Sequence, residues 1–208
     1  MRELRIEGTT YPLLRHLTLP VVAITTAAGG RTNGMIVNSA QRASLVPSVP
    51  RISLYVLKPR FSYRLIMESG VFAVHLLRRD QWDVIWQLGM QSAHDVPDKL
   101  AGLDVHYGET GCPLLVDCIA SFECRVVNAM DAGSATHFLG DVVKDHEGTP
   151  GEVMTSPWFR ENMPADKKRV YEAQLAHAME YLEPLAHSLD SSGWEQLRKR
   201  WSEAHGGR

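Results

Sequence analysis

Two cations, a proline and a hydroxyl fall within five residues at Lys58-Pro59-Arg60-Phe61-Ser62, directly ahead of an apolar stretch that closes at Gly70. Serine favours helix N-caps and glycine accepts the left-handed conformation that ends helices, so the pattern predicts a short helix starting near Ser62 and stopping at Gly70. The first turn of such a helix offers free N–H donors and the positive end of the backbone dipole. With Lys58 and Arg60 alongside, these groups suit a phosphate. The alternative is a capping serine on a solvated cationic edge, and the loop alone does not decide between them.

Other reactive side chains point to little further chemistry. The nine histidines contain no pair at i, i+3 or i+4, so no half-site for a metal is expected on one helix, and no metal is assigned. His75, inside VFAVHLL, reads as a hydrogen-bonded core histidine. Cys112, Cys118 and Cys124 form no CxxC pair, and their odd number argues against a disulfide framework. Cys118 and Cys124, six apart on an expected strand over 118–128, should share one face as buried thiols. No GxSxG, HExxH, GxxxxGK[ST] or GxGxxG run occurs, which removes the common hydrolase, zinc-protease and nucleotide-loop readings.

The 208 residues are 44% hydrophobic and 22% charged, enough for one substantial core. A net charge of -2 gives no general field for nucleic acid or anionic lipid. Charges in MRELRIEGTTYPLL interrupt any signal-peptide core, and no window approaches a membrane span, so a cytoplasmic protein is expected. Period-two patterns predict strands over 20–26, 35–39, 51–57, 71–77, 118–128 and 136–144, the first two forming a hairpin around Gly29 and Gly30. Trp82, Ile85, Trp86 and Leu88 have helical spacing, and 91–116 reads mainly as loop. Over 167–189, Tyr171, Leu175, Ala178, Leu182, Leu185 and Leu189 draw an apolar stripe along a helix that Pro184 should kink. Ser192 and Glu195 fit a capping box for a last helix.

Residues 12–142 resemble the flavin reductase family. The matches run in order through LPVVAITTAAGGRTNGMIVNSA, SLVPSVPRISLYVLKPRFSYRLI, ESGVFAVHLL, Asp98-Lys99-Leu100, GETGCPLL, FECRVV and DAGSATHFLGDV. Each piece is unspecific alone; their order is the signal. The resemblance implies a mainly β protein, an antiparallel Greek-key split β-barrel of the FMN-binding type, over 1–155, with a C-terminal helical extension over 156–208. It also implies a homodimer that binds FMN, or FAD, and takes hydride from NAD(P)H. The residues implied at the flavin are Val37, Asn38, Ser39, Ala40, Arg42 and Ser44 along the ring and ribityl chain, with Lys58, Arg60 and Ser62 at the phosphate.

The chain departs from the family pattern at informative places. SAQRAS brings Gln41 and Arg42 where small polar residues are usual, and Arg42 is either an extra anion contact or a solvent-facing cation. The histidine of the family's DHT-like segment, associated with the nicotinamide, is matched by Ala135, with His137 two residues on. The resemblance implies flavin reduction by NAD(P)H as the function. An FMN oxidoreductase with another donor or organic substrate, or a flavin-binding dimer without turnover, are the alternatives. No catalytic side chain is assigned, because hydride transfer requires chiefly that donor and acceptor atoms be held in contact.

Overall fold

The computed structural model describes residues 17–93 and 96–205; the charged N-terminal segment discussed above lies outside them. Val22–Ala28 (β1) and Arg31–Val37 (β2) pair antiparallel along their whole length. Gly29 and Gly30 join them with φ of 55° and 74°. A two-residue hairpin loop with both φ values positive matches the twist of its strands, and glycine adopts it without a Cβ clash. Gln41–Arg42 (β3) and Arg51–Leu57 (β4) follow, then the helix Phe61–Ser69 (α1) and the strand Val71–Leu76 (β5). A helical turn Trp82–Ile85 (α2) runs on into a π-helical turn Trp86–Met90. The 91–116 region is largely irregular, as expected, and carries the small hairpin Val105–Tyr107 (β6) and Pro113–Leu115 (β7). The long strands Ala120–Asp131 (β8) and Ala135–Glu147 (β9) precede Ser156–Asn162 (α3), Ala165–Ala186 (α4) and Ser192–His205 (α5).

Seven strands form one sheet in the order β2-β1-β5-β8-β9-β4-β3, every neighbour antiparallel. Laid flat, six spacings of about 4.8 Å would hold β2 and β3 roughly 29 Å apart. Yet β2 ends at Val37 and β3 begins at Gln41, and four residue steps span at most about 14 Å. The sheet therefore curls strongly, bringing its two ends together. Ser39, between those ends, donates its hydroxyl to the Tyr55 carbonyl of β4 at 3.0 Å.

Alternation along β1 separates two cores. Val22 and Ile24 join Leu54, Val56, Phe72, Val74 and Phe138 inside the curl. Val21 and Ala23 face the other way, toward Leu77, Ile85, Leu88, Met154 and Phe159. Each fully buried aliphatic or aromatic side chain contributes about 1.5–3 kcal/mol relative to exposure. The outer core takes in α3 through Phe159, so the start of the helical extension packs on the sheet.

Some local expectations shift. Cys118 precedes β8 in a turn, its thiol 3.4 Å from the Leu115 carbonyl, so it shares no strand face with Cys124; both are nonetheless buried, as is Cys112. The N-cap of α1 is Arg60, and Ser62 lies inside the helix; Gly70 ends it with φ 68° as anticipated. Helix α4 stops at Ala186, two residues past Pro184, leaving Leu189 beyond the stripe and exposed. The final cap is displaced by one residue: the Ser191 hydroxyl, not that of Ser192, donates to the Glu195 carboxylate at 2.9 Å.

Candidate functional site

The two segments singled out in the sequence, 37–44 and 58–62, meet at a cleft of about 230 Å³ on the outer face of the sheet. Val37 and Asn38 at the end of β2 form one wall, Leu57 and Arg60 at the β4–α1 junction another, and α4 lies across the opening with Tyr171, Leu175, Ala178 and Leu182. The apolar stripe of α4 thus has its counter-surface here. Gln174 anchors it by donating to the Met90 carbonyl at 2.7 Å, and Lys167 lies over the Trp86 ring at 3.7 Å from its centroid. At its far end, the Ala186 carbonyl sits so close to Gly133 that a Cβ there would come within 2.6 Å.

The remaining residues of the 37–44 segment face elsewhere. Ala40, Arg42 and Ser44 line a larger cleft of about 820 Å³ at the inner-core side of the sheet, walled by Val22, Leu76, Phe122 and Val142. Val21 and Val22 open onto different clefts, as strand alternation requires. Ser44 also closes a local turn, accepting from the Val46 amide at 3.1 Å. Leu45 and Val46, on the rim of this cleft, are exposed.

Two residues assigned to the phosphate are already engaged. Lys58 Nζ lies 2.6 Å from Asp131 Oδ2 across the β8–β9 turn, and this contact holds the Asp131 carboxyl below its usual range, helped by the Gly133 amide. The Ser62 hydroxyl is fully buried and accepts from Asn33 Nδ2 at 2.8 Å, tying α1 to β2. Arg60 alone of the loop's polar side chains opens into the cleft under α4.

Sequence reasoning did not single out Arg160, which lines the same cleft from α3, nor Tyr171 and Gln174 as its roof. Tyr171 belongs to the apolar stripe of the sequence, but no local pattern brings any of the three to this cleft, because a long chain separation is closed only by the fold. Lys99 of the Asp98-Lys99-Leu100 match is buried, donates to the Leu88 carbonyl at 2.5 Å, and is lowered to about 8 by burial and then by the nearby Arg60 charge. His137 stacks on Tyr55 with ring centroids 4.4 Å apart and planes 3° from parallel. Burial lowers its pKa, and its Nε2 has no hydrogen-bond partner. Among the described residues, no group of histidine, cysteine and carboxylate side chains could hold a metal.

The donor set under α4 fits a phosphorylated flavin in kind: two arginines, the Asn38 amide, apolar walls, and no acid among the lining residues. Its volume is below the roughly 300–1,000 Å³ usual for a whole small-molecule site. The cleft as it stands has room for a phosphate and the chain that carries it.

Residues 14–164 match the family described as the flavin reductase like domain. The match runs through α3 and ends one residue before α4 begins. Over 123 residues the chain is 32% identical to a probable flavin reductase of Rhizobium meliloti, covering 58% of this chain and 38% of that protein. It is 28% identical over 123 residues to an NADH-dependent FAD reductase of Streptomyces globisporus, covering 59% and 66%. Among solved structures, the Streptomyces globisporus C-1027 NADH:FAD oxidoreductase SgcE6 in complex with NAD and FAD fragments superposes with a TM-score of 0.60 at 26% identity, over 68% of this chain and 85% of that one. The chain spans about half the length of several curated relatives that it matches. It belongs to the flavin reductase family, with an antiparallel sheet and five α-helices among the described residues. No helix among the described residues is long and apolar enough to cross a membrane.

Proposed function

We propose that the protein is a flavin-dependent oxidoreductase of the flavin reductase type, taking hydride from NAD(P)H onto bound FMN. The observation that carries this reading is the meeting of Val37 and Asn38 with Leu57 and Arg60 at one acid-free cleft. Val37, Asn38 and Arg60 belong to the segments that the family resemblance assigns to the flavin. The relative from Streptomyces globisporus is described as acting on FAD with NADH, so FAD is the other flavin to test. A bound flavin would accept and return hydride. The chain's own part is to hold the flavin's anionic end at Arg60, to present Asn38 as a donor, and to exclude water beneath α4.

The split-barrel form is supported by the curl that brings β2 and β3 together. The homodimer is supported by the exposed Leu45, Val46 and Val49 beside the large apolar cleft, a surface that a second copy would cover. On this reading residues 1–155 form the family domain, 156–208 its helical extension, and the protein works in the cytoplasm. Lys58 and Ser62 serve the site indirectly, by fixing the β4–α1 loop against Asp131 and Asn33.

A second reading, the same barrel with a different electron donor, is favoured by Ala135 at the family's histidine position. His137 is instead stacked against Tyr55. Anaerobic mixing of the flavin-loaded protein with NADH, NADPH and then other reductants separates the readings. Bleaching of flavin absorbance by a nicotinamide supports the first, bleaching only by another donor the second, and no bleaching a binding protein without turnover. Absence of fluorescence quenching and of thermal stabilisation on adding FMN or FAD would end the flavoprotein reading. Ligand at a hundredfold over its Kd should add about 2.7 kcal/mol.

A further inference from the structure

Of the two arginines under α4, Arg160 is the one that the β4–α1 loop does not supply. It lines the cleft from α3, as Arg60 does from the β4–α1 loop. Several cations with a structural task in this protein have acid partners: Arg51 with Asp141, Lys58 with Asp131, Arg78 with Asp117, Arg79 with Glu152. Among the described residues, no carboxylate lies within ion-pair distance of Arg60 or Arg160, and none lines their cleft. The buried Lys99 adds a further positive charge close to Arg60. Like charges gathered without a counter-charge repel one another, and a bound anion reverses the sign of that energy. Guanidinium groups are suited to the task because their planar donors match phosphate oxygens in pairs.

We infer that Arg60 and Arg160 clamp one phosphate monoester in the cleft beneath α4, and that Arg160 sets the preference for a phosphorylated ligand over its unphosphorylated counterpart. The identity of the ligand rests on the flavin reading, whereas the clamp is a property of the cleft. The size of the cleft agrees, since about 230 Å³ admits a phosphate with its attached chain. Helix α4 roofs the clamp with Gln174 and Tyr171, and it lies beyond the residues matched to the family. Two sources share the chemistry: the monoester of FMN, and the 2′-phosphate that distinguishes NADPH from NADH.

The test compares wild type with Arg160→Gln, Arg160→Lys and Arg60→Gln, titrating FMN and riboflavin by fluorescence quenching. The clamp requires Arg160→Gln to weaken FMN about tenfold to hundredfold, the range for a charge-assisted hydrogen bond, with riboflavin unchanged and partial recovery in Arg160→Lys. If both flavins bind unaltered but the variant raises KM for NADPH and not for NADH, the phosphate belongs to the reductant and the clamp stands. Equal losses for FMN and riboflavin, or no change with any phosphorylated ligand, overturn it. Should wild type bind neither flavin, the flavin reading fails, and melting with inorganic phosphate decides the clamp. A rise in Tm that Arg160→Gln abolishes upholds it; no rise in wild type overturns it.

Discussion

Lys58 Nζ lies 2.6 Å from Asp131 Oδ2, so the first cation of the expected phosphate loop is paired with a carboxylate on the β8–β9 turn. The same turn receives the end of α4: Ala186 packs on Gly133, and the Asp190 backbone amide donates to the Asp131 carboxylate. The Lys58–Asp131 pair therefore braces the loop that presents Arg60 and the strap formed by α4.

Replacing Lys58 with Ala should accordingly cost stability by up to about 1 kcal/mol, the range for a partly exposed ion pair. It should weaken FMN and riboflavin to the same small extent. Titrating both flavins against Lys58→Ala and Asp131→Asn checks this. A loss confined to FMN in Lys58→Ala would show that the lysine leaves Asp131 for the phosphate.

Ser62→Ala should lower stability by about 1–3 kcal/mol, because the buried Asn33 amide loses its acceptor. The loss should be equal in the presence and absence of saturating FMN, which chemical denaturation can measure. Asn33→Ala in the Ser62→Ala background should add little, since the pair acts as a unit.

Acid should destabilise the protein in two stages. Burial holds His75 at about 4, below its ordinary 6.5, with a backbone hydrogen bond to Ala23 opposing and the charges of His106 and His146 assisting. Below pH 6.5 the unfolded chain therefore binds a proton that the folded one refuses. Stability falls as pH drops toward about 4, by roughly 3 kcal/mol in all. Glu123 supplies the second stage. Burial pushes its carboxyl up, but the Thr110 amide and hydroxyl and His146 outweigh burial and hold it at about 2. Its contribution is complete above about pH 4.5 and is lost as pH falls through 2. His75→Asn should flatten the slope between pH 6.5 and 4 while leaving the lower stage in place. A flat wild-type profile from 6.5 to 4 would refute the assignment.

Gly133→Ala should destabilise more than Gly29→Ala. Both glycines have positive φ, 73° and 55°, so each substitution carries about 1–2 kcal/mol of left-handed strain. Only at Gly133 does the new Cβ meet a neighbour, the Ala186 carbonyl. The excess, read by melting together with faster amide exchange over 180–186, reports the docking of α4. Equal effects at the two glycines would mean that α4 does not rest on this turn.

Local chemistry wrote much of the fold into the sequence. Gly29-Gly30 between β-branched runs specifies a hairpin, Gly70 ends α1, and the alternation in RISLYVL defines β4, because these depend on steric and hydrogen-bonding preferences over a few residues. The order of the family segments likewise located the walls of the cleft at Val37, Asn38 and Arg60. Side-chain partnership was not legible. Lys58 meets Asp131 and Ser62 meets Asn33 only because β9 pairs with β4 and α1 packs on β2, and no periodicity encodes a contact between distant segments. The split of 37–44 between two clefts follows from its passage from the end of β2 to β3: Val37 and Asn38 line one cleft, and Ala40, Arg42 and Ser44 the other. Sequence could show that α4 has an apolar stripe needing a partner; only tertiary packing decided that the partner is the mouth of the cleft, and that Arg160 lines it together with Arg60.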